Sequence, residues 1–151
     1  MSDQVKANFM LTLQAIFLSI IFLIPNKENP SQTMRNTSLV IFDIGIVLLA
    51  VAIYNLRKSL AISPIPVKKG ELQAGGLYRF VRHPMYVAVI VLSAGSVLAG
   101  EVSWVRYSAL IGLLILLDRK AYFEESLLRK KYPSYAKYQK KTGKFFPKLF
   151  R

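Results

Sequence analysis

Four apolar runs separated by polar, basic segments form the main pattern along the chain. They cover residues 8–24, 38–56, 84–100 and 103–117. A helix rises about 1.5 Å per residue, and a membrane-spanning helix needs about 20 apolar residues, with a lower limit near 17. No strand alternation is long enough to indicate a barrel. The pattern predicts an all-α, polytopic membrane protein with about four transmembrane helices, organised as a single membrane-embedded domain over residues 1–151.

Three of these runs have individual features that refine the prediction. The first lacks a small-residue cleavage pattern before Pro25, so we expect a retained helix rather than a cleaved signal peptide. The third is rich in Gly, Ala and Ser, which let helices approach closely in lipid. The fourth is short for a span. It either continues into the segment 118–151 or crosses in a tight hairpin with the third.

Composition narrows the possible chemistry. The chain carries 21 basic and 8 acidic residues, and its mean hydropathy is +0.35. It has no Cys and a single His, His83. These counts exclude disulfides, thiolate nucleophiles and sites with several histidine ligands, and we expect no metal. The apolar content excludes disorder. We expect membrane lipids, and not nucleic acid, to be the partners of the positive charge.

The basic residues concentrate in two segments and predict an orientation. From Arg57 to His83, six basic residues face one acid, and from Asp118 to Arg151 eleven face three. The positive-inside rule places both segments in the cytoplasm, and four spans place the N-terminus there too. We expect a multi-pass protein of the inner or plasma membrane of a prokaryote. Both termini and the active site would then be cytoplasmic.

The connection over residues 59–83 is longer than a simple link needs and leads into His83 and Pro84. Pro84 suits the first turn of the third helix, which places His83 near the N-cap. The unpaired N–H groups of such a helix end bind carboxylates and phosphates. An equally open interpretation makes Arg79, Arg82 and His83 simple anchors for lipid headgroups.

The tail over residues 118–151 contains a second candidate group. Lys120 and Glu124 are four residues apart, so they share one helical face. The simpler interpretation, which the spacing favours, is a surface ion pair. The functional alternative is a carboxylate that faces a polar pocket at the membrane surface. The helical character should end near Tyr132, because Pro133 follows it. The later alternation of Tyr, Phe and Lys is typical of a segment lying on anionic lipid.

The ordered set of motifs resembles the isoprenylcysteine carboxyl methyltransferase family, in the superfamily that includes phospholipid methyltransferases. The resemblance covers roughly residues 63–147. It rests on Ser63, Pro64 and Pro66, then Leu72, Gly75, Tyr78, Arg79, Arg82, His83, Pro84, Met85 and Tyr86, then Glu124, Glu125, Leu128, Tyr135, Tyr138 and Pro147. The block from Gly75 to Tyr86 together with the later glutamate pair is a specific combination.

This resemblance implies a helical membrane enzyme that binds S-adenosylmethionine on the cytoplasmic side, releases S-adenosylhomocysteine and needs no metal. The implied cofactor-binding residues are Gly70, Glu71, Leu72, Gln73, Tyr78, His83, Pro84, Met85, Tyr86 and Glu124. By the same resemblance, Lys120 and Arg119 would bind the acceptor. Transfer of the methyl group to a carboxylate or thiolate would need only a cation, such as Lys120, Arg119 or Arg82, to orient the acceptor. An amine acceptor would also need a base, with Glu124 or Glu125 as the nearest candidates. We therefore assign catalytic roles to Glu124, Lys120 and Arg82.

One departure from the family pattern bears on the acceptor. The family has an Arg four residues before the first glutamate, where this chain has Lys120. Lys keeps the charge but lacks the planar fork that binds a carboxylate through two hydrogen bonds. The acceptor therefore stays open among an isoprenylcysteine-like carboxylate, a phospholipid amine and a small acid or thiol. Two other functions also stay open: an NADPH-dependent reductase of the sterol reductase type and a non-catalytic lipid-binding protein.

Overall fold

The computed structural model describes residues 2–25, 30–57, 64–65, 72–100 and 103–148. Within these residues the chain is all-helical, which confirms the predicted class. The helices are α1 (Asp3–Leu23), α2 (Gln32–Leu56), α3 (Pro84–Leu98), α4 (Trp104–Lys131) and α5 (Tyr135–Lys141), with a short 3-10 helix, Gly76–Arg79, before α3. In addition to the helices, the described residues contain an isolated parallel β-bridge between Val81 and Gly143.

Serine caps explain why the first two helices begin earlier than their apolar runs. The Ser2 hydroxyl accepts a hydrogen bond from the backbone N–H of Val5, and the Ser31 hydroxyl accepts one from Met34. Such caps satisfy N–H groups that the first turn leaves unpaired. The hydrophobic pattern therefore located these helices, while polar caps set their actual starts.

Of the two outcomes expected for the fourth run, the structure shows continuation. α4 has 28 residues, which corresponds to about 42 Å, and its polar second half extends well beyond the apolar run. It ends with Tyr132 as C-cap, as the position of Pro133 predicted. The chain then turns at once into α5, a helix that the pattern did not predict.

α1 runs antiparallel to α4. Lys6, near the start of α1, lies over the ring of Phe123, whereas the carbonyl of Ile21, near its end, accepts a hydrogen bond from Arg106. Ala7, Met10, Leu116 and Phe123 form one buried cluster between these two helices. A second cluster of Ile21, Val97, Ala109, Leu113 and Leu117 brings in α3.

α2 runs antiparallel to α3 and packs on it along most of its length. A Cβ atom added at Gly95 would lie 2.8 Å from the backbone nitrogen of Phe42, and one added at Gly45 would lie 2.8 Å from that of Leu92. The small residues therefore allow the backbones to approach closely, as expected for the third run. The start of α1, the end of α2, the start of α3 and the second half of α4 consequently share one end of the bundle.

Two helices, α1 and α2, are long and apolar enough to cross a membrane, whereas α3 is apolar but shorter. In the apolar windows of α1 and α2, just 17% and 11% of the residues are buried. The core helix of a soluble protein would be mostly buried, so these outward apolar faces fit a membrane protein. Four crossings and the cytoplasmic orientation stay predictions.

Candidate active site

The motif that precedes α3 is held in place by the end of the tail. The backbone N–H of Arg82 donates to the carbonyl of Gly143 at 2.8 Å, and that of His83 donates to Lys144 at 3.2 Å. The Tyr138 hydroxyl donates to the carbonyl of Tyr78. His83 is the N-cap of α3 and Pro84 begins the helix, as the sequence predicted. The tail therefore fixes the direction in which the His83 side chain enters the bundle.

Glu125 is the centre of an inner cluster, which comprises Arg82, His83, Glu125 and Gln139. Its Oε1 lies 2.8 Å from Nε of Arg82 and 3.1 Å from Nε2 of His83. Its Oε2 accepts a hydrogen bond of 2.7 Å from the Gln139 amide. Burial alone would raise the pKa of Glu125, but hydrogen bonds from His83 and Arg82, together with their charges, lower it to about 2. Glu125 is therefore an ionised carboxylate with both oxygens in use.

Arg82 belongs to this inner cluster and not to an open surface. Besides Glu125, its guanidinium donates to the carbonyls of Gln139 and Thr142. Its side chain is nearly buried. The predicted role for Arg82, orienting an acceptor, would require it to leave these partners. Neither is it a headgroup anchor in this arrangement, because its charge points inward.

Glu124 precedes Glu125 in α4 but lies on a more open side. Its Oε2 accepts a hydrogen bond of 2.8 Å from the Tyr86 hydroxyl and lies 3.6 Å from Nδ1 of His83. Its side chain is 29% exposed, against 4% for Glu125. Among the described residues, Oε1 of Glu124 has no hydrogen-bond partner. One glutamate of the pair is thus available to a ligand.

Lys120 completes an outer cluster, which comprises Gln14, Tyr86, Lys120 and Glu124. Its ammonium lies 5.3 Å from the ring centre of Tyr86, and the imidazole of His83 stacks on that ring at 5.1 Å. The ammonium donates a 2.6 Å hydrogen bond to Oε1 of Gln14. Lys120 is only 2% exposed, so the surface ion pair that the spacing favoured does not match the structure. The ring of Tyr86 therefore contacts both a cation and an imidazole.

The remaining predicted residues lie at different distances from this core. Tyr78 is buried in the 3-10 helix, and burial, then the nearby Glu124 and Tyr138, raise the pKa of its phenol. Leu72, Gln73 and Met85 are partly exposed and Pro84 is buried, whereas Arg119 is exposed. Gly70 and Glu71 lie outside the described residues. Gly76 has a φ of +58° and lies against Asn55 of α2, so this turn favours glycine.

The imidazole of His83 lies between the two glutamates. It is buried, with Nε2 facing Glu125 and Nδ1 facing Glu124. Both ring nitrogens therefore lie near a carboxylate. The cofactor-binding role that the resemblance implies for His83 stays a prediction.

Three polar contributors to the site were not predicted. Gln139 and the carbonyl of Thr142 come from the tail, and Gln14 comes from α1. The basic, aromatic pattern of the tail predicts an element that lies on lipid and gives no signal of an inward turn. Gln14 did carry a signal, because a polar residue inside an apolar run is costly unless it has a partner.

The fold and site define a helical bundle with long apolar outer faces and a buried, charged polar site at one end. A family model described as phospholipid methyltransferase matches residues 33–135. The chain belongs to this family, whose members are membrane methyltransferases, and the match confirms the superfamily to which the motifs pointed. The match includes both glutamates, Arg82, His83, Tyr86 and Lys120, but neither α1 nor the tail from Ala136 onward.

An uncharacterized protein of Schizosaccharomyces pombe is similar to part of the chain. It is 33% identical over 82 residues, which cover 50% of this chain and 24% of that protein. The chain thus spans about a quarter of the length of this curated relative.

Proposed function

We propose that the protein transfers the methyl group of S-adenosylmethionine to a lipophilic or small-molecule acceptor. The observation that carries this proposal is the partly exposed carboxylate of Glu124. It binds the hydroxyl of Tyr86, whose ring lies under the buried ammonium of Lys120, within the segment that matches the methyltransferase family. A membrane methyltransferase needs a cofactor site next to an acceptor site, and these groups supply one partner for each.

The donor set fits the cofactor. S-adenosylmethionine carries an ammonium and a sulfonium, and a carboxylate with an unused oxygen suits a cation. Glu124 supplies that carboxylate. Aromatic and apolar side chains suit the adenine, and Leu72 and Met85 are partly exposed. We assign Glu124 and Tyr86 to the cationic part of the cofactor, and Leu72, Gln73 and Met85 to its remainder.

The chemistry needs positioning more than acid–base work. The bound cofactor would supply an activated methyl group, so the protein has to align the acceptor and exclude water. Lys120 can orient an acceptor that carries a carboxylate or phosphate. An amine acceptor would also have to lose a proton. Glu124 is the candidate base for that step, because both oxygens of Glu125 already accept hydrogen bonds.

Calorimetry in lipid nanodiscs tests the cofactor assignment. We expect the wild type to bind S-adenosylmethionine and S-adenosylhomocysteine, and Glu124→Gln to weaken the former by at least about tenfold, since a hydrogen bond to a charged group contributes roughly 1.5–3 kcal/mol. Asp118→Asn is the matched control, because Asp118 is an exposed acid of the same helix that binds Lys144. Folded wild type that binds NADPH, or that binds neither NADPH nor S-adenosylmethionine, would overturn the proposal.

A labelled-methyl screen then tests the acceptor. Vesicles of phosphatidylethanolamine, prenylated cysteine analogues and small lipophilic acids and thiols would be compared. We expect an acceptor with an anionic group to give the highest turnover, because Lys120 is the available cation beside Tyr86. Equal turnover by wild type and Lys120→Met on that acceptor would contradict the role given to Lys120.

A further inference from the structure

α1 supplies the hydrogen-bond partner of Lys120. Oε1 of Gln14 accepts a 2.6 Å hydrogen bond from the Lys120 ammonium, although 106 positions separate the two residues. α1 lies outside residues 33–135, so the family match assigns nothing to it. The contact links a helix of the membrane bundle to the polar half of α4.

The environment of Lys120 makes this one contact important. A buried ammonium costs free energy unless it is paired and hydrogen-bonded. Lys120 is 2% exposed, and among the described residues no carboxylate forms an ion pair with it. Its partners there are the Gln14 amide and the face of the Tyr86 ring. A neutral amide fixes the ammonium without cancelling its charge, which leaves that charge available to an anion.

We propose that Gln14 is a positioning residue that holds the Lys120 ammonium charged and over the Tyr86 ring, ready to bind the carboxylate or phosphate of an acidic methyl acceptor. This inference rests on the proposed function. It assigns part of the acceptor site to α1. It also means that the neutral amide of Gln14 affects the position and the protonation of the buried Lys120 ammonium. It predicts that changes at Gln14 act through Lys120.

The charges around Lys120 predict how changes at Gln14 would shift the pKa of Lys120. Burial lowers the pKa of Lys120, and Glu124 on the same helix acts in the opposite sense. On α3, the titratable groups near Lys120 are Tyr86 and His83, whose imidazole stacks on the Tyr86 ring. On α1, the charged residues are Asp3 and Lys6, which lie closer to the start of the helix than Gln14 does. Loss of the amide oxygen should lower the pKa of Lys120 further. A carboxylate at position 14 should raise it.

Two variants test this direction. With an acidic acceptor, we expect Gln14→Leu to raise KM by roughly tenfold and to move the alkaline limb of the pH–rate profile down by about one unit, as loss of a hydrogen bond to a charged group implies. Gln14→Glu should move that limb upward. Gln4→Leu is the matched control, because Gln4 lies on the same helix and bonds to Asn8 on an exposed face. If Gln14 had a purely structural role, the alkaline limb of the pH–rate profile would stay unchanged in both variants.

A double-mutant cycle on thermal unfolding provides a readout that does not depend on turnover. We expect Gln14→Leu to destabilise the wild type but to add almost nothing in a Lys120→Met background, since the two side chains share one contact. Additive effects, or unchanged KM and pH profile in Gln14→Leu, would overturn the inference. A wild type that binds no S-adenosylmethionine would instead overturn the proposed function, even if the cycle shows coupling.

Discussion

The two adjacent glutamates of α4 have opposite surroundings. Glu125 faces the inner cluster, where Arg82, His83 and Gln139 occupy its oxygens. Glu124 faces the outer cluster, where one oxygen binds the Tyr86 hydroxyl and the side chain is partly exposed. Successive residues of a helix point about 100° apart, so one step along the chain suffices to separate these roles.

The buried cations of the two clusters differ in the same way. Arg82 has a carboxylate and backbone carbonyls as partners, whereas Lys120 has an amide and an aromatic ring. A charge neutralised by its own carboxylate contributes to the architecture of the site. A charge held by a neutral group is still able to bind an anion. This contrast separates the residues expected to maintain the fold from those expected to meet ligands.

The largest effect should come from removing the carboxylate of the inner cluster. We expect Glu125→Ala to destabilise the protein by about 3–5 kcal/mol, because it leaves the buried Arg82 without its counter-charge. Glu124→Ala should change thermal stability far less, since its side chain is partly exposed and one of its oxygens has no partner among the described residues. Thermal unfolding in detergent or nanodiscs compares the two variants. Equal losses of stability would remove the distinction between the clusters.

Acid should weaken the inner cluster specifically. The folded pKa of Glu125, about 2, lies below its ordinary value of 4.5. Its contribution to stability is therefore complete above about pH 4.5 and is lost as the pH falls toward 2. Denaturant unfolding between pH 6 and pH 2 should show this loss in the wild type and a flatter profile in Glu125→Gln. Parallel profiles would show that Glu125 is not the group that titrates.

Exchanging Arg and Lys at positions 82 and 120 tests the contrast between the buried cations of the two clusters. Arg82→Lys should lower the free energy of unfolding by about 1–3 kcal/mol, because Lys cannot reproduce the guanidinium's separate bonds to a carboxylate and two carbonyls. Lys120→Arg should instead alter KM for acidic acceptors with less effect on stability. These outcomes would be read by thermal unfolding and by the methyl-transfer assay. If Lys120→Arg reduced stability and Arg82→Lys mainly altered KM, then Lys120 would maintain the fold and Arg82 would bind the acceptor.

The sequence predicted the elements well and the orientation of side chains less well. Apolar runs located four helices, and Pro84 and Pro133 marked a start and an end, because these are local effects of chain chemistry. The resemblance also assigned His83 and Glu124 to one cofactor site, and the two side chains do lie close together. Local rules did not predict that Lys120 would turn inward to Gln14, since that contact depends on how α1 packs against α4.

The contribution of the tail to the site could not be predicted from the local sequence pattern either. The basic, aromatic pattern after Pro133 indicated a segment on lipid. In the structure, Gln139 and Thr142 turn toward Arg82 and Glu125. This inward turn depends on a bridge between Val81 and Gly143, which are far apart in sequence. A long-range backbone pairing of that kind has no periodic signature.

The smallest effect concerns two tyrosines of α5 beside the inner cluster. Tyr135 is 1% exposed, and its hydroxyl has no hydrogen-bond partner among the described residues, whereas the Tyr138 hydroxyl donates to the carbonyl of Tyr78. Removing an unpaired buried hydroxyl removes a desolvation cost. We therefore expect Tyr135→Phe to be neutral or to stabilise the fold by under about 1 kcal/mol. Tyr138→Phe should destabilise it by roughly 0.5–1.5 kcal/mol. Denaturant unfolding of both variants measures the difference, and a clear loss of stability in Tyr135→Phe would mean that this hydroxyl has a partner that stabilises the inner cluster.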